Sequence, residues 1–327
     1  LLDTSQLSPR EFVLREFEHP VVQAGLLFFN GLREVDLREK GFGHHIPALL
    51  ASKNKAQMCR GGSAQLARAL VDAIEEAGGD ILLATEPTQI LVEGDRAVGV
   101  ETRDGQRLKA RHFVASSLNP QQTFLDLLPP EVLPQAWRDK AAAFRYNLLA
   151  PLFGLYLELE EAPMYRVAEA YPHLKQSFMV ILGLDSPANF DAMLHHHKAG
   201  SMPPPVTWGS TPTLFDPSQA PPGQHTAFMW EKLPYALGND PARWDVVKEV
   251  RGRQLLSHWA EHAPNIPDVL INSFVRSPLD VERTLPNMYR GDLLVGAFAG
   301  DQVGYHRPFP GAGHYRGHLA GLYLCGS

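Results

Sequence analysis

Two groups of histidines have the residue type that binds metal ions, but their spacing argues against a metal site. Residues 195–197 are three consecutive histidines, while His258 and His262 lie four residues apart. Consecutive side chains point in different directions on a helix or a strand. Trp259 stands where the zinc-protease helix motif has its glutamate. We therefore predict no metal site and interpret His258 and His262 as helix-surface residues.

Motifs for nucleophilic catalysis and for nucleotide binding are incomplete. Gly61-Gly62-Ser63 precedes a predicted helix but lacks the second flanking glycine and the preceding strand of a Gly-x-Ser-x-Gly nucleophile turn. Neither a P-loop nor a Gly-x-Gly-x-x-Gly motif occurs in the sequence. The sequence therefore disfavours a hydrolase, and it lacks the first strand, turn and helix of a dinucleotide-binding fold.

A glycine-rich segment near the end of the chain is the strongest candidate for a ligand site. It reads GYHRPFPGAGHYRG over residues 304–317 and contains two tyrosines, two histidines and a phenylalanine. Flat side chains and backbone amides ahead of a predicted strand are suited to ligand binding. Its chemistry alone leaves a functional and a structural role equally open.

Composition excludes several classes of protein. The 327 residues are 44% hydrophobic and 20% charged, which is typical of globular proteins with one or two domains. The formal charge of −6 and the absence of a basic block argue against nucleic-acid binding. No apolar stretch reaches the about 20 residues of a transmembrane helix, which leaves only peripheral membrane contact open. Two cysteines without metal or redox spacing predict a reducing, cytoplasmic location.

The first part of the chain predicts helices followed by a β-meander. Ser8-Pro9 and Pro20 are typical helix starts, and Ser63 is the predicted cap of a long helix that Gly78 ends. Short β-rich runs then follow, with Asp104-Gly105 as a hairpin signal. These runs are residues 81–84, 89–92, 97–102, 107–110 and 112–116. We expect an antiparallel meander whose last strand rejoins a sheet.

The second part of the sequence predicts a further structural layer with a second β-sheet. Residues 119–145 have the pattern of a helical crossover, residues 201–223 that of a structured, proline-stiffened hairpin loop, and Asn239-Asp240-Pro241 that of a helix start leading to about His262. Predicted strands cover residues 147–160, 176–184, 225–233, 292–299 and 321–325.

Three segments together resemble a known family. Residues 60–120, RGGSAQLARALVDAIEEAGG and the meander after it, closely resemble the middle of phytoene dehydrogenase-like flavoproteins. This family is a branch of the clan that contains the flavin amine oxidases. FDPSQAPPGQH at residues 215–225 resembles its substrate-domain hairpin, and residues 291–327 resemble its closing approach to the flavin.

The resemblance implies a mixed α/β fold with two parts. A partial, Rossmann-like FAD-binding domain with a β-meander would comprise residues 59–118 and 301–327. A substrate-binding lobe of mixed β-sheet and helices would comprise residues 1–58, which are mostly helical, and 119–300. Since the sequence has no diphosphate motif, we expect the chain to be the interior of a longer flavoprotein and to bind FAD weakly by itself.

The resemblance also implies a set of cofactor contacts. Glu86 and Pro87 would lie at the adenine end of FAD, where Pro87 has no N–H and offers only its carbonyl. Ser116 and Ser117 would lie beside the cofactor sheet. The residues implied near the isoalloxazine are Gly311, Gly313, His314, Tyr315, Gly326 and Ser327. No catalytic base is identified.

The function implied is that of an FAD-dependent dehydrogenase or desaturase acting on a small apolar substrate, a polyene being one such substrate. A flavin-dependent isomerase or amine oxidase of the same clan would share the architecture. A non-catalytic binding module derived from this fold is an alternative from another class. The sequence leaves the oligomeric state and the electron acceptor open.

Overall fold

The computed structural model describes residues 3–31, 36–53 and 57–326, and it is a mixture of helices and several sheets, as predicted. The α-helices are α1 (Pro9–Glu16), α2 (Pro20–Gly31), α3 (His45–Ala51), α4 (Ala64–Glu76), α5 (Gln135–Ala142), α6 (Val167–Ala170), α7 (Ala188–Ala199), α8 (Trp244–His262), α9 (Ile266–Val269) and α10 (Pro278–Thr284). The strands are β1 (Pro87–Glu93), β2 (Arg96–Thr102), β3 (Arg107–Lys109), β4 (Val114–Ser116), β5 (Leu152–Leu159), β6 (Val180–Leu182), β7 (Thr207–Ser210), β8 (His225–Lys232), β9 (Leu270–Arg276) and β10 (Leu322–Leu324).

The largest sheet has the strand order β6-β7-β8-β5-β9 and is antiparallel throughout. Side chains alternate between the two faces of a strand, so Phe153, Leu155 and Leu157 of β5 share one face. These residues are buried in one core with Trp244 and Trp259 of α8. The helix and the sheet thus form two packed layers around this core.

Helix starts follow the local sequence signals closely. The Ser8 hydroxyl accepts a hydrogen bond from the Glu11 amide, and the Glu11 carboxylate accepts one from the Ser8 amide, a capping box that confirms the predicted start of α1. Asp240 accepts a hydrogen bond from the Ala242 amide at the turn before α8, which is also confirmed. The predicted cap at Ser63 is wrong, because Ser63 has helical backbone angles and its side chain makes no capping bond.

The predicted meander is confirmed, and so is the prediction that its last strand, within residues 112–116, rejoins a sheet. β1, β2 and β3 pair antiparallel in that order. β10 pairs parallel with β4, with Leu322 opposite Val114 and Leu324 opposite Ser116. One small sheet therefore joins two of the segments that resemble the family, residues 60–120 and residues 291–327.

Two predicted strands do not form. Residues 81–84 end in a turn in which Ala84 has a φ of 52°. The apolar side chains there are exposed, and Leu83 reaches 84%. No strand among the described residues pairs with this segment, which removes the reason for an extended backbone.

Residues 292–299 form a loop because one buried carboxylate organises their backbone. Asp292 is fully buried and accepts hydrogen bonds from the amides of Asn147, Leu294 and Gly296 at 2.8, 2.9 and 3.1 Å. Val295 has a φ of 53°, which no strand allows. The apolar composition of the segment was therefore a misleading strand signal.

Other boundaries differ in extent. The strand predicted over residues 176–184 shortens to β6, and the predicted hairpin loop over 201–223 contains β7. The crossover over residues 119–145 consists of a π-helical turn, a 3-10 turn and α5. β9 and α10 were not predicted at all.

The apolar face of α4 is exposed in this structure. Leu66, Leu70 and Ile74 lie on one side of the helix and are 64%, 59% and 43% exposed. Gly78 ends this segment with a φ of 74°, as predicted. Within the part of the chain that the structure describes, no helix has both the length and the apolar character of a membrane span.

Candidate functional site

The pairing of β4 with β10 brings the end of the glycine-rich loop to the end of β4. The Cys325 amide donates to the Ser116 carbonyl at 2.8 Å, and the Leu324 amide donates to the Tyr315 carbonyl at 2.8 Å. A Cβ placed on Gly326 would lie 3.7 Å from the Ser117 carbonyl oxygen. Residues from two distant parts of the sequence, 116–117 and 315–326, thus converge on one edge of the small sheet.

A cavity of about 560 Å³ opens at this edge, and we call it the loop cavity. Its wall combines apolar side chains with the backbone of the glycine-rich loop. It is lined by Leu118, Pro120, Phe144, Gly304, Tyr305, Arg307, Pro308, His314, Tyr315, Leu324, Cys325 and Gly326. A half-enclosed space of this size suits a flat organic ring system.

The backbone of the loop is held in unusual conformations. His314 and Tyr315 both have positive φ angles, 71° and 62°, which cost energy for residues other than glycine. A Cβ on Gly313 would lie 2.7 Å from the Tyr305 carbonyl oxygen, so only glycine fits there. The rings of Tyr305 and His314 pack edge to face at 5.5 Å. Such strain is concentrated at functional sites in proteins.

Arg307 places a fixed positive charge in the wall of the loop cavity. Its guanidinium donates to the carbonyls of Leu294 and Val295 at 3.0 and 3.1 Å and lies 5.9 Å from the centre of the Phe298 ring. Burial lowers the pKa of Arg307, and nearby Asp292 opposes this effect. An arginine stays protonated under these conditions.

The structure brings together some of the residues that the sequence predicted and leaves others apart. Ser116, Ser117, His314, Tyr315 and Gly326 share the edge of the small sheet. The Ser116 hydroxyl is buried and lies 2.7 Å from the Thr123 hydroxyl, and its contact with a cofactor stays a prediction.

Gly311 and Gly313 lie further back in the same loop, where Gly311 has a φ of 91°. Ser327 lies outside the described residues. Glu86 and Pro87 lie at the start of β1, and neither lines the loop cavity. The exposed Glu86 carboxylate pairs with Arg103 at 2.5 Å. The adenine contact therefore stays a prediction.

A second cavity, of about 690 Å³, adjoins the loop cavity at Phe144, and we call it the lobe cavity. Phe144 is buried and lines both spaces. The polar side chains around the lobe cavity come from widely separated segments. They are Gln121, Arg145, Tyr146, Asn147, His197, Lys198, Tyr235, Asn239, Tyr289 and Arg290.

Two buried polar atoms in the wall of the lobe cavity have no hydrogen-bond partner among the described residues. They are the Tyr146 hydroxyl and His197 Nε2. Burial raises the pKa of Tyr146, which keeps its proton. His197 Nδ1 donates to the Leu148 carbonyl at 2.9 Å, and burial lowers the pKa of His197 to about 4. The imidazole is therefore neutral at pH 7, with a lone pair on Nε2.

Sequence reasoning missed the lobe cavity because no motif spans it. Tyr146, His197 and Arg290 come from three separate regions of the sequence, and only the fold brings them together. The run of histidines drew attention to residues 195–197 as a metal motif. Its informative member is His197, which is only 5% exposed.

The other histidine pair has a carboxylate beside it. Ligating atoms of His258, Glu261 and His262 lie within 4.8 Å of one another, and His258 Nδ1 lies 3.5 Å from Glu261 Oε2. The expectation of no metal site stays a prediction.

Comparison with known proteins supports the resemblance inferred from sequence. No protein-family model matches the chain. The chain is 27% identical to one of the subunits of limonene dehydrogenase from Castellaniella defragrans, over 100% of this chain and 62% of that protein. It is 28% identical to the lycopene-forming phytoene desaturase of a Paracoccus species, over 72% of this chain and 44% of that protein.

Solved structures show the same fold. An oxidoreductase from Methanosarcina mazei matches 93% of this chain and 58% of its own, with a TM-score of 0.55 and 15% identity. Cyclohexylamine oxidase from Brevibacterium oxydans matches 99% of this chain and 62% of its own, with a TM-score of 0.51 and 13% identity. The chain thus spans about half to two thirds of the length of these proteins. The similarity to phytoene dehydrogenase-like FAD-dependent oxidoreductases is confirmed.

Proposed function

We propose that this chain is the substrate lobe and part of the flavin domain of an FAD-dependent oxidoreductase of the dehydrogenase or desaturase type. The observation that carries the proposal is the parallel pairing of β4 with β10, which builds the loop cavity from the segments that resemble the family. The similarity to a limonene dehydrogenase and to phytoene desaturases supports a reaction on an apolar substrate.

The residues of the loop cavity fit the ring end of a flavin. Gly326 has a φ of 97° and leaves open space above Ser117 that a side chain would fill. Arg307 supplies a positive charge and the loop supplies backbone amides, both of which would stabilise the negative charge that a flavin ring gains on reduction. When bound, the flavin would accept a hydride or electrons from the substrate. We propose that residues 59–118 and 301–327 form the cofactor side and residues 119–300 most of the substrate side.

The chain's own residues would orient the substrate and exclude water. Phe144 and Leu118 provide apolar surface next to the proposed ring site, which favours apolar carbon chains. Tyr146 and neutral His197 are titratable groups in the adjoining lobe cavity, and both are held in fixed protonation states. Free, exposed Cys59 and Cys325 are consistent with a reducing, cytoplasmic location for the enzyme.

The test is the visible spectrum of the protein purified from its complete reading frame. We expect bound flavin whose absorbance bleaches on anaerobic addition of a substrate that contains an apolar terpene or polyene chain. The 327-residue chain alone should bind FAD at least about tenfold more weakly, because its sequence lacks a diphosphate-binding helix start. A complete protein without flavin would overturn the proposal.

A further inference from the structure

The lobe cavity has the electrostatics of an anion site. Among the described residues, its wall contains three cationic side chains, Arg145, Lys198 and Arg290, and no carboxylate. Arg145 is already neutralised, since its guanidinium makes two hydrogen bonds to Asp301 at 2.5 and 3.0 Å. Lys198 and Arg290 are the two remaining cations of the wall, while the carboxylates of Asp292 and Asp126, which do not line the cavity, act on the Tyr146 hydroxyl.

Neither Lys198 nor Arg290 has a carboxylate partner for its side chain among the described residues. Glu282 accepts a hydrogen bond from the Arg290 backbone amide at 2.7 Å and another from the Tyr235 hydroxyl. The Arg290 guanidinium itself lies 6.0 Å from the centre of the Tyr235 ring. Asp36 feels the charge of Lys198, but its carboxylate is bonded to Arg38 at 2.8 and 3.0 Å.

A buried donor completes the set. The Tyr146 hydroxyl is protonated, has no hydrogen-bond partner among the described residues, and belongs to the same wall. A buried donor without a partner destabilises the protein, and a ligand oxygen that accepts its hydrogen bond would remove that cost. His197 differs, because its Nε2 carries a lone pair and accepts hydrogen bonds, so it would contact a water or a hydroxyl and not an anion.

We propose that the substrate carries an oxyanion, a carboxylate or a phosphate, and that Lys198, Arg290 and the Tyr146 hydroxyl bind it in the lobe cavity. Phe144 separates this polar end from the loop cavity, where the apolar part would react. The substrate is thus an amphipathic molecule and not a pure hydrocarbon. That it is a substrate rests on the proposed function, whereas the binding of the anion does not.

Binding of three probes to the 327-residue chain by calorimetry tests the proposal. Decanoate, decyl phosphate and decanol share an alkyl chain and differ in the head group. We expect at least one of the two anions to bind at least about tenfold more tightly than decanol, and the preferred anion identifies the head group. Equal binding of decanol and both anions would overturn the proposal.

Variants locate the site. The double variant Lys198→Gln/Arg290→Gln should weaken anion binding at least about tenfold and leave decanol unchanged, and Tyr146→Phe should weaken the anion several-fold. The matched control is Lys109→Gln/Arg111→Gln, which removes the same charge from an exposed part of the meander and should change binding less than about twofold. Anion binding that both double variants weaken equally, or that neither weakens, would contradict the assignment.

The outcome is separable from that of the proposed function. Anion binding at this cavity in a complete protein that holds no flavin would remove the oxidoreductase and keep the site. A complete protein that holds flavin but binds decanol more tightly than both anions would keep the oxidoreductase and remove the anion site.

Discussion

The Asp216 carboxylate accepts a hydrogen bond from the Gly61 backbone amide, with Oδ2 2.6 Å from the nitrogen. The two residues are 155 positions apart. Gly61 has a φ of 79° in the turn before α4, and Asp216 lies in the loop between β7 and β8. This bond joins the segment that resembles a flavin domain to the segment that resembles the substrate-domain hairpin of the same family.

We predict that Asp216→Asn destabilises the chain in a pH-dependent way. Two hydrogen bonds to the carboxylate, the stronger effect coming from the Ser218 side chain and the next from the Gly61 amide, lower the pKa of Asp216 to about 2. Since the folded-state pKa is depressed, the stabilisation is present above the unfolded-state pKa of about 3.9 and is lost as the pH falls through about 2. Urea unfolding should show a lower midpoint for the variant at pH 7, and the difference should shrink towards pH 2.

The control for Asp216 is Glu160→Gln, an exposed acid at the end of β5 with no side-chain partner among the described residues. It should leave the urea midpoint unchanged at both pH values. An Asp216→Asn variant as stable as the parent at pH 7 would show that the bond to Gly61 does not join the two segments.

Asp292 should be among the most sensitive acids in the lobe. Asparagine offers one acceptor oxygen in place of two, so Asp292→Asn leaves buried amides without partners and should lower the free energy of unfolding by about 2–4 kcal/mol. Asp301→Asn, which breaks an exposed pair with Arg145, should cost less than about 1 kcal/mol. Urea unfolding at pH 7 measures both, and equal costs would contradict the role assigned to Asp292.

How far the sequence predicts this structure depends on whether a signal is local. Ser8 with Glu11, Pro20 and Asp240 specify helix starts through neighbours within three residues, and the structure confirms these starts. The strand predicted over residues 292–299 is wrong because Asp292 accepts a hydrogen bond from the distant Asn147 amide, which no local pattern reveals.

The candidate site shows the same division. The glycine-rich loop is a contiguous signal, so the sequence singles out His314 and Tyr315, which line the loop cavity, and predicts the strand that precedes Gly326. The polar wall of the lobe cavity is assembled by tertiary structure from isolated residues such as Tyr146 and Arg290. A pattern-based search therefore had nothing to recognise there.

We predict that substitutions at two helical leucines differ strongly in how much they change the free energy of unfolding. Leu70 in α4 is 59% exposed, so Leu70→Gln should change the free energy of unfolding of this chain by less than about 0.5 kcal/mol. Leu255 in α8 is 2% exposed, and Leu255→Ala should cost about 2–5 kcal/mol. Thermal and urea unfolding would show this contrast. A large cost at Leu70 would mean that α4 packs against other residues in solution.

The most direct test of the flavin assignment compares two glycines with the same backbone demand in the protein from the complete reading frame. Gly326 and Gly105 have φ angles of 97° and 83°, but Gly105 lies in a hairpin turn with no atom within 4 Å of an added Cβ. We predict that Gly326→Val weakens FAD binding at least about tenfold while Gly105→Val retains the flavin absorbance of the parent. Full flavin retention by Gly326→Val would contradict the placement of the ring system in the loop cavity.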